Sequence, residues 1–245
     1  MVNEINKILT MFNLKVPELN LEKIKRLKVL GKGMNGVVYL IKYGDKLLTL
    51  KIQPKYTDTP DFIINNSEII CSYTAFNDLI VSNFISQLIN KKDCIQKFYG
   101  YEISQNEIWI IKEYIELDFI QYLNQKNISK EDKIITTINL FLVLFETFQN
   151  SIKGFHSDFK MENILIKKTK LKSLNINIKG KKYKTKVSGY IPVLTDFGSS
   201  FIFNIKNKPM KIRRYYKNYY KTNIHNCNKK VYFNYYSDLN NFYNF

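Results

Sequence analysis

Residues 31–40 read Gly31-Lys32-Gly33-Met34-Asn35-Gly36-Val37-Val38-Tyr39-Leu40, with glycines in a G-x-G-x-x-G frame. Unrelated phosphate-binding devices share that spacing, and the residues beyond the last glycine separate them. A dinucleotide-binding turn passes from a strand into a helix whose N-terminus receives the pyrophosphate, with an acid about 20 residues further on for the ribose. Here the next run is VVYLIKY, β-branched and aromatic, which favours a strand. Tyr43-Gly44-Asp45-Lys46 then reads as a turn and KLLTLKIQ as another strand, and the charged residue that arrives is Lys51. Strand, glycine loop, strand, turn and a strand carrying a lysine describe a hairpin that covers a nucleotide, not a helix-capped pyrophosphate site.

The bulk properties allow such a body. The 245-residue chain is 45% apolar and 15% aromatic, enough for a substantial core, which excludes a disordered protein. Three widely spaced cysteines, Cys71, Cys94 and Cys227, match neither a disulfide framework nor a zinc spacing and read as reduced thiols of an intracellular protein. The N-terminal MVNEINKILTMF mixes charges into its apolar residues, unlike a secretion signal. The most apolar run, residues 138–148, is too short to span a bilayer and reads as a buried helix. The formal charge of +17 sits in two segments: residues 164–187 carry nine lysines and no acid, and residues 201–245 carry nine Lys/Arg against Asp238 alone. The basic character therefore belongs to an insertion and a tail, while the rest of the chain is neutral. An AT-rich coding bias towards Asn, Lys, Ile and Tyr accounts for part of it.

Element signals divide the chain. Residues 1–22 read as an extension with a short helix before Pro17, and about 24–53 as three strands. Asn65 or Asn66 can cap a helix from Ser67 to about residue 89, where apolar residues recur at helical spacing. Two strands come next, near QKFYGYEIS and EIWIIKEYI. Ser129-Lys130-Glu131-Asp132 resembles a capping box opening a largely apolar, central helix.

Two later segments supply charged groups of the kind that phosphoryl transfer needs, namely a proton-orienting carboxylate, metal-holding oxygens and a cation for the phosphates. They are His156-Ser157-Asp158-Phe159-Lys160-Met161-Glu162-Asn163 and Leu194-Thr195-Asp196-Phe197-Gly198. With the glycine loop and Lys51 ahead of them in this order, the chain resembles the protein-kinase family over about residues 24–200. The resemblance implies an α+β, two-lobe fold: an extension (1–23), a β-rich lobe with one long helix and a hinge (24–115), and a shortened helical lobe (116–245) holding a basic insertion (about 168–187) and a basic aromatic tail (201–245). It implies ATP and Mg²⁺ as cofactors, Gly31, Gly33, Gly36 and Val38 over the nucleotide, and Lys51 on the phosphates, paired to Glu68, with Asp61 the less favoured partner. It makes Asp158 the catalytic base, Lys160 the support of the transferring phosphate, and Asn163 and Asp196 the Mg²⁺ ligands. Glu113 and Ile115 would offer backbone groups to the base and Asp118 would reach the ribose. His156 is read as a brace of the loop. Lys112 stands where the family keeps an apolar residue, which means either a slip of one position or a buried stem whose ammonium reaches a carboxylate.

Three departures qualify the resemblance. Ser157 replaces the arginine that pairs with a phosphorylated activation loop, so regulation of that kind is not expected. A long insertion separates Asn163 from Asp196 and resembles divergent kinases of large DNA viruses that replicate in the cytoplasm, which implies a host-cytoplasmic or virion setting. Only 47 residues follow Gly198, which implies a minimal lobe or a truncated product, with Asp238 opening its central helix. Lys160 matches serine/threonine enzymes acting on protein substrates, acidic ones being favoured by the basic tail. The competing readings are an impaired kinase-like module whose tail (211–236) holds nucleic acid, and a small-molecule kinase, against which the complete glycine loop and Lys160 argue.

Overall fold

The glycine-rich segment joins two strands, as its β-branched flank requires. The protein is described by a computed structural model over residues 2–11, 20–33, 36–55, 62–65, 68–71, 74–88, 93–202 and 211–214. Val2–Met11 form helix α1, followed by β1 (Ile24–Gly33), β2 (Gly36–Tyr43) and β3 (Lys46–Pro54). β4 (Phe62–Asn65) and β5 (Glu68–Cys71) pair antiparallel, and α2 spans Thr74–Leu88. β6 (Phe98–Ile103) and β7 (Glu107–Glu113) complete a five-stranded antiparallel sheet in the order β1-β2-β3-β7-β6.

After β8 (Leu117–Asp118) come α3 (Phe119–Asn124) and α4 (Lys130–Phe145), which ends in a π-helical turn, Glu146–Ser151. Short strands come next: β9 (Gly154–Phe155), β10 (Ile164–Lys168), β11 (Ser173–Ile178), β12 (Lys181–Lys186), β13 (Tyr190–Leu194), β14 (Phe201–Ile202) and β15 (Lys211–Arg214). β10 lies between β13 and β8, and β4-β5-β15-β14-β9 form a sheet in which β5 and β15 run parallel. The architecture is thus α+β with mainly antiparallel sheets.

The helix expected from Ser67 begins at Thr74 instead. Glu68–Cys71 carries the β-branched pair Ile69-Ile70, in register with Ile64 and Ile63 of β4, so cross-strand pairing overrides the helical spacing there. Downstream, α2 is enclosed on every side: residues 75–85 are all buried, polar ones included. The capping signal at Ser129 is realised, with its hydroxyl accepting from the Asp132 amide at 3.1 Å. The short helix expected before Pro17 is present as α1. Its Ile8 and Leu9 are fully buried in the main core, and Tyr101 donates to Asn6 Oδ1 at 3.1 Å.

The lysine-rich insertion is a packed hairpin. β11 and β12 are joined by Lys179-Gly180, both at positive φ (50° and 82°), as a two-residue turn with the right twist requires. Leu174 and Ile176 are buried, and Asn139 of α4 donates to the Lys186 carbonyl and accepts from Thr185, fastening the hairpin to that helix. Its lysines Lys181, Lys182, Lys184 and Lys186 are exposed. The parts of the tail beyond Arg214, including Asp238 and Cys227, lie outside the described residues, as does Asp61. Cys71 and Cys94 are buried, and burial pushes the Cys71 thiol well above its ordinary value. Among the described residues no helix is long and apolar enough to cross a membrane.

Candidate functional site

Backbone bonds tie the segment before β6 to the end of β13: Leu194 donates to Cys94 O and Gln96 to Leu194 O, both at 3.0 Å. Beside this junction opens a cleft of about 380 Å³. Gly31, Val38 and Lys51 line it from the first strands, Ile115 and Asp118 from the segment after β7, and Asn163 and Asp196 from the later motifs. Residues up to 165 positions apart in the chain therefore share one cavity.

At its back lies a charge cluster. Lys51 Nζ is 2.9 Å from Asp196 Oδ1 and 3.4 Å from Asp78 Oδ2. Asp78 is wholly buried, and its Oδ1 also accepts from Lys112 Nζ at 2.7 Å, Ser82 Oγ at 2.8 Å and the Phe197 amide at 3.1 Å. Burial works against each charge, yet the two carboxylates outweigh it and hold Lys51 above the usual lysine range. By the same balance, Lys112 and Lys51 hold the Asp78 carboxyl below the ordinary range despite its burial. Asp196 is likewise lowered, burial again opposing and Lys51 prevailing.

The partner expected for Lys51 at Glu68 is corrected to Asp78. Glu68 falls in β5, in register with Asn65 and Lys211, because the helix starts only at Thr74. A signal for Asp78 was present: it is the sole acid in the apolar run 74–88, and a carboxylate there demands a cation. Lys112 is that second cation, which resolves its odd position in favour of a buried stem.

Glu113 does not line the cleft. Its amide donates to Lys97 O, its carbonyl accepts from the Gln96 side chain at 2.8 Å, and its carboxylate pairs with Lys167 at 2.6 Å, so β-pairing and local contacts occupy the groups expected to meet a base. Gln96, unremarkable in sequence, does line it and also accepts from Thr195. Asp118 doubles as the N-cap of α3, accepting from the Gln121 amide at 2.7 Å.

Around Asp158, Asn163 Nδ2 donates to the Asp158 carbonyl at 2.8 Å and carboxylate at 2.9 Å, and Lys160 Nζ lies 3.1 Å from the same carboxylate. His156 is buried among Phe148, Phe159 and Phe197 with Nε2 2.8 Å from Thr195 O, the contacts of a brace. Asp196 sits in the left-handed region (φ 55°), a strained backbone of the kind that collects at sites of function. Of the three glycines, Gly36 is required by the fold: its φ is 140° and an added Cβ would lie 2.1 Å from Ile52 O. Gly31 and Gly33 face open space.

For a metal, the oxygen donors to consider are the Asp196 carboxylate and the Asn163 amide, whose nitrogen is spent on Asp158. Hard oxygens in small number suit Mg²⁺ shared with phosphates. Among the described residues no group of three or more His, Cys, Asp or Glu could hold a metal by itself.

No family model matches the chain. Two proteins similar in sequence bear on the site. An uncharacterized protein of Caenorhabditis elegans, ZK177.2, is 22% identical over 193 residues, 73% of this chain and 60% of that protein. A protein of Acanthamoeba polyphaga mimivirus described as "Putative serine/threonine-protein kinase L673" is 27% identical over 151 residues, 62% of this chain and 25% of that protein. Both likenesses are distant. The chain spans less than two thirds of either relative's length.

Proposed function

We propose that the protein is an ATP- and Mg²⁺-dependent protein kinase that transfers the γ-phosphate to Ser/Thr hydroxyls of protein substrates. The observation that carries this reading is the convergence of Lys51, Asn163, Asp196 and the glycine-bearing strand on one cleft, with Lys51 2.9 Å from Asp196. The distant likeness to the mimiviral protein supports it. In this reading residues 24–115 cover the nucleotide and 116–245 carry the catalytic groups, as two lobes.

Lys51 holds phosphate oxygens and Asp158 orients the acceptor hydroxyl and takes its proton. Lys160 offsets negative charge beside it. Asn163 and Asp196 hold Mg²⁺, which when bound neutralises charge on the transferring phosphate. Gly31 and Gly33, with nothing near their Cβ positions, leave room for backbone to approach the triphosphate.

The concentration of the +17 charge in the hairpin and tail favours one alternative, a catalytically impaired module holding nucleic acid or another anionic partner. One experiment separates them. Purified protein is incubated with labelled ATP, Mg²⁺ and a mixed protein substrate, beside Asp158→Asn. Label on protein that falls by a factor of about 10² or more in the variant, with ATP binding retained, supports the kinase. ATP binding with no transfer by the wild type favours the module, and absence of ATP binding overturns both.

A further inference from the structure

We infer that Lys112 is a positioning residue, a resident counter-ion that keeps Asp78 compensated and in place when Lys51 leaves it for a phosphate. This rests on the nucleotide reading above. The distances divide the two lysines. Lys112 makes the shorter contact to Asp78, 2.7 Å against 3.4 Å, and its side chain is 6% exposed against 17% for Lys51. Lys51 is nearer Asp196 than Asp78 and faces the cleft, so it is the cation able to turn towards a ligand. Were it the sole partner of Asp78, that movement would strand a fully buried carboxylate, which is among the costlier events in a protein interior. With Lys112 on Oδ1 the carboxylate stays paired whatever Lys51 does.

The same contact ties three elements. Lys112 belongs to β7 and Asp78 to α2, and the Asp78 carboxylate also accepts the Phe197 amide beside Asp196. The neighbouring Asn77 donates to the carbonyls of Phe197, Gly198 and Ser200 at 3.1, 3.1 and 2.9 Å, clamping that turn to α2 a second time. The Lys112 ammonium also lies 5.8 Å from the Phe197 ring centroid. The sheet, the helix and the Asp196 turn are thereby held together by contacts that need neither a ligand nor the arginine replaced by Ser157.

The test compares ATP with adenosine, because only the triphosphate needs Lys51. Titration calorimetry of the wild type, Lys112→Met and Lys112→Arg is run with Mg-ATP and with adenosine. In Lys112→Met, Lys51 must stay with Asp78, so ATP affinity falls roughly 10-fold or more while adenosine affinity is kept, and Lys112→Arg retains both. Lys112→Met/Asp78→Asn, which removes the carboxylate as well, recovers ATP affinity and remains informative where the single variant folds poorly. Unchanged ATP affinity in Lys112→Met, equal losses for ATP and adenosine, or no recovery in the double variant each overturn the inference. A wild type that binds neither ligand instead overturns the nucleotide reading on which it stands.

Discussion

Asp78 shows how one carboxylate can organise a site. It is shielded from solvent by two lysines and two neutral donors, and its proton equilibrium is therefore linked to folding. Its folded pKa is depressed, so its contribution is present above the unfolded carboxylate value of about 4 and is lost as pH falls below that towards the folded value. Removing one member of a buried pair costs about 3–5 kcal/mol. Asp78→Asn should lower stability by that order at pH 7, and the gap from wild type should narrow below pH of about 4. Thermal melts of both proteins from pH 7 to pH 3 check this, and a gap that does not change with pH would mean the carboxylate is not ionised at neutrality. The residue was legible as a lone acid in an apolar run. Its partners were not, because spacing along a chain does not say which strand a helix lies against.

Among the secondary-structure elements, the β11–β12 hairpin separates charge from structure. Its composition alone reads as a solvated basic insertion, and its lysines are indeed exposed. What the count hides is alternation: Leu174 and Ile176 share one face of β11 and are buried, while Asn175 and Lys184, paired across the ladder, share the other. Ile176→Ala should therefore destabilise the protein by about 2–5 kcal/mol, as for other buried aliphatic truncations, whereas Lys182→Gln and Lys184→Gln should stay within about 0.5 kcal/mol. Urea unfolding measures both. Equal, small effects would mean the hairpin is not part of the folded core. The late start of α2 has a related cause. The helical spacing read from Ser67 onward takes in Glu68–Cys71, and only the partner strand removes those residues from the helix.

Across the entire fold, α1 shares the main core. Residues 1–23 read as an N-terminal extension, and within it Ile8 and Leu9 belong to the same core cluster as α2, α4 and the β10–β13 pair. Each buried side chain of that size stabilises by about 1.5–3 kcal/mol, so deleting residues 2–11 should cost about 3 kcal/mol or more. Denaturant unfolding of the shortened chain is the measurement. A midpoint equal to that of the intact chain would mean that α1 adds nothing to the core. The cleft is likewise a property of the assembled fold, since the strands on one side of it are tied to Leu194 on the other through the bonds from Cys94 and Gln96.

The β-hairpin reading of the glycine loop, the strands of the first five-stranded sheet and the cap of α4 were legible before any fold was known. They depend on local propensity, alternation and capping, which a chain carries with it wherever it folds. Folding in three dimensions was needed to choose Asp78 over Glu68 for Lys51, to stand Lys112 behind both, to spend the amide of Glu113 on Lys97, and to build α1 and the basic hairpin into the body. Those are pairings between groups far apart in the chain, selected by which arrangement leaves the fewest buried charges and polar groups uncompensated.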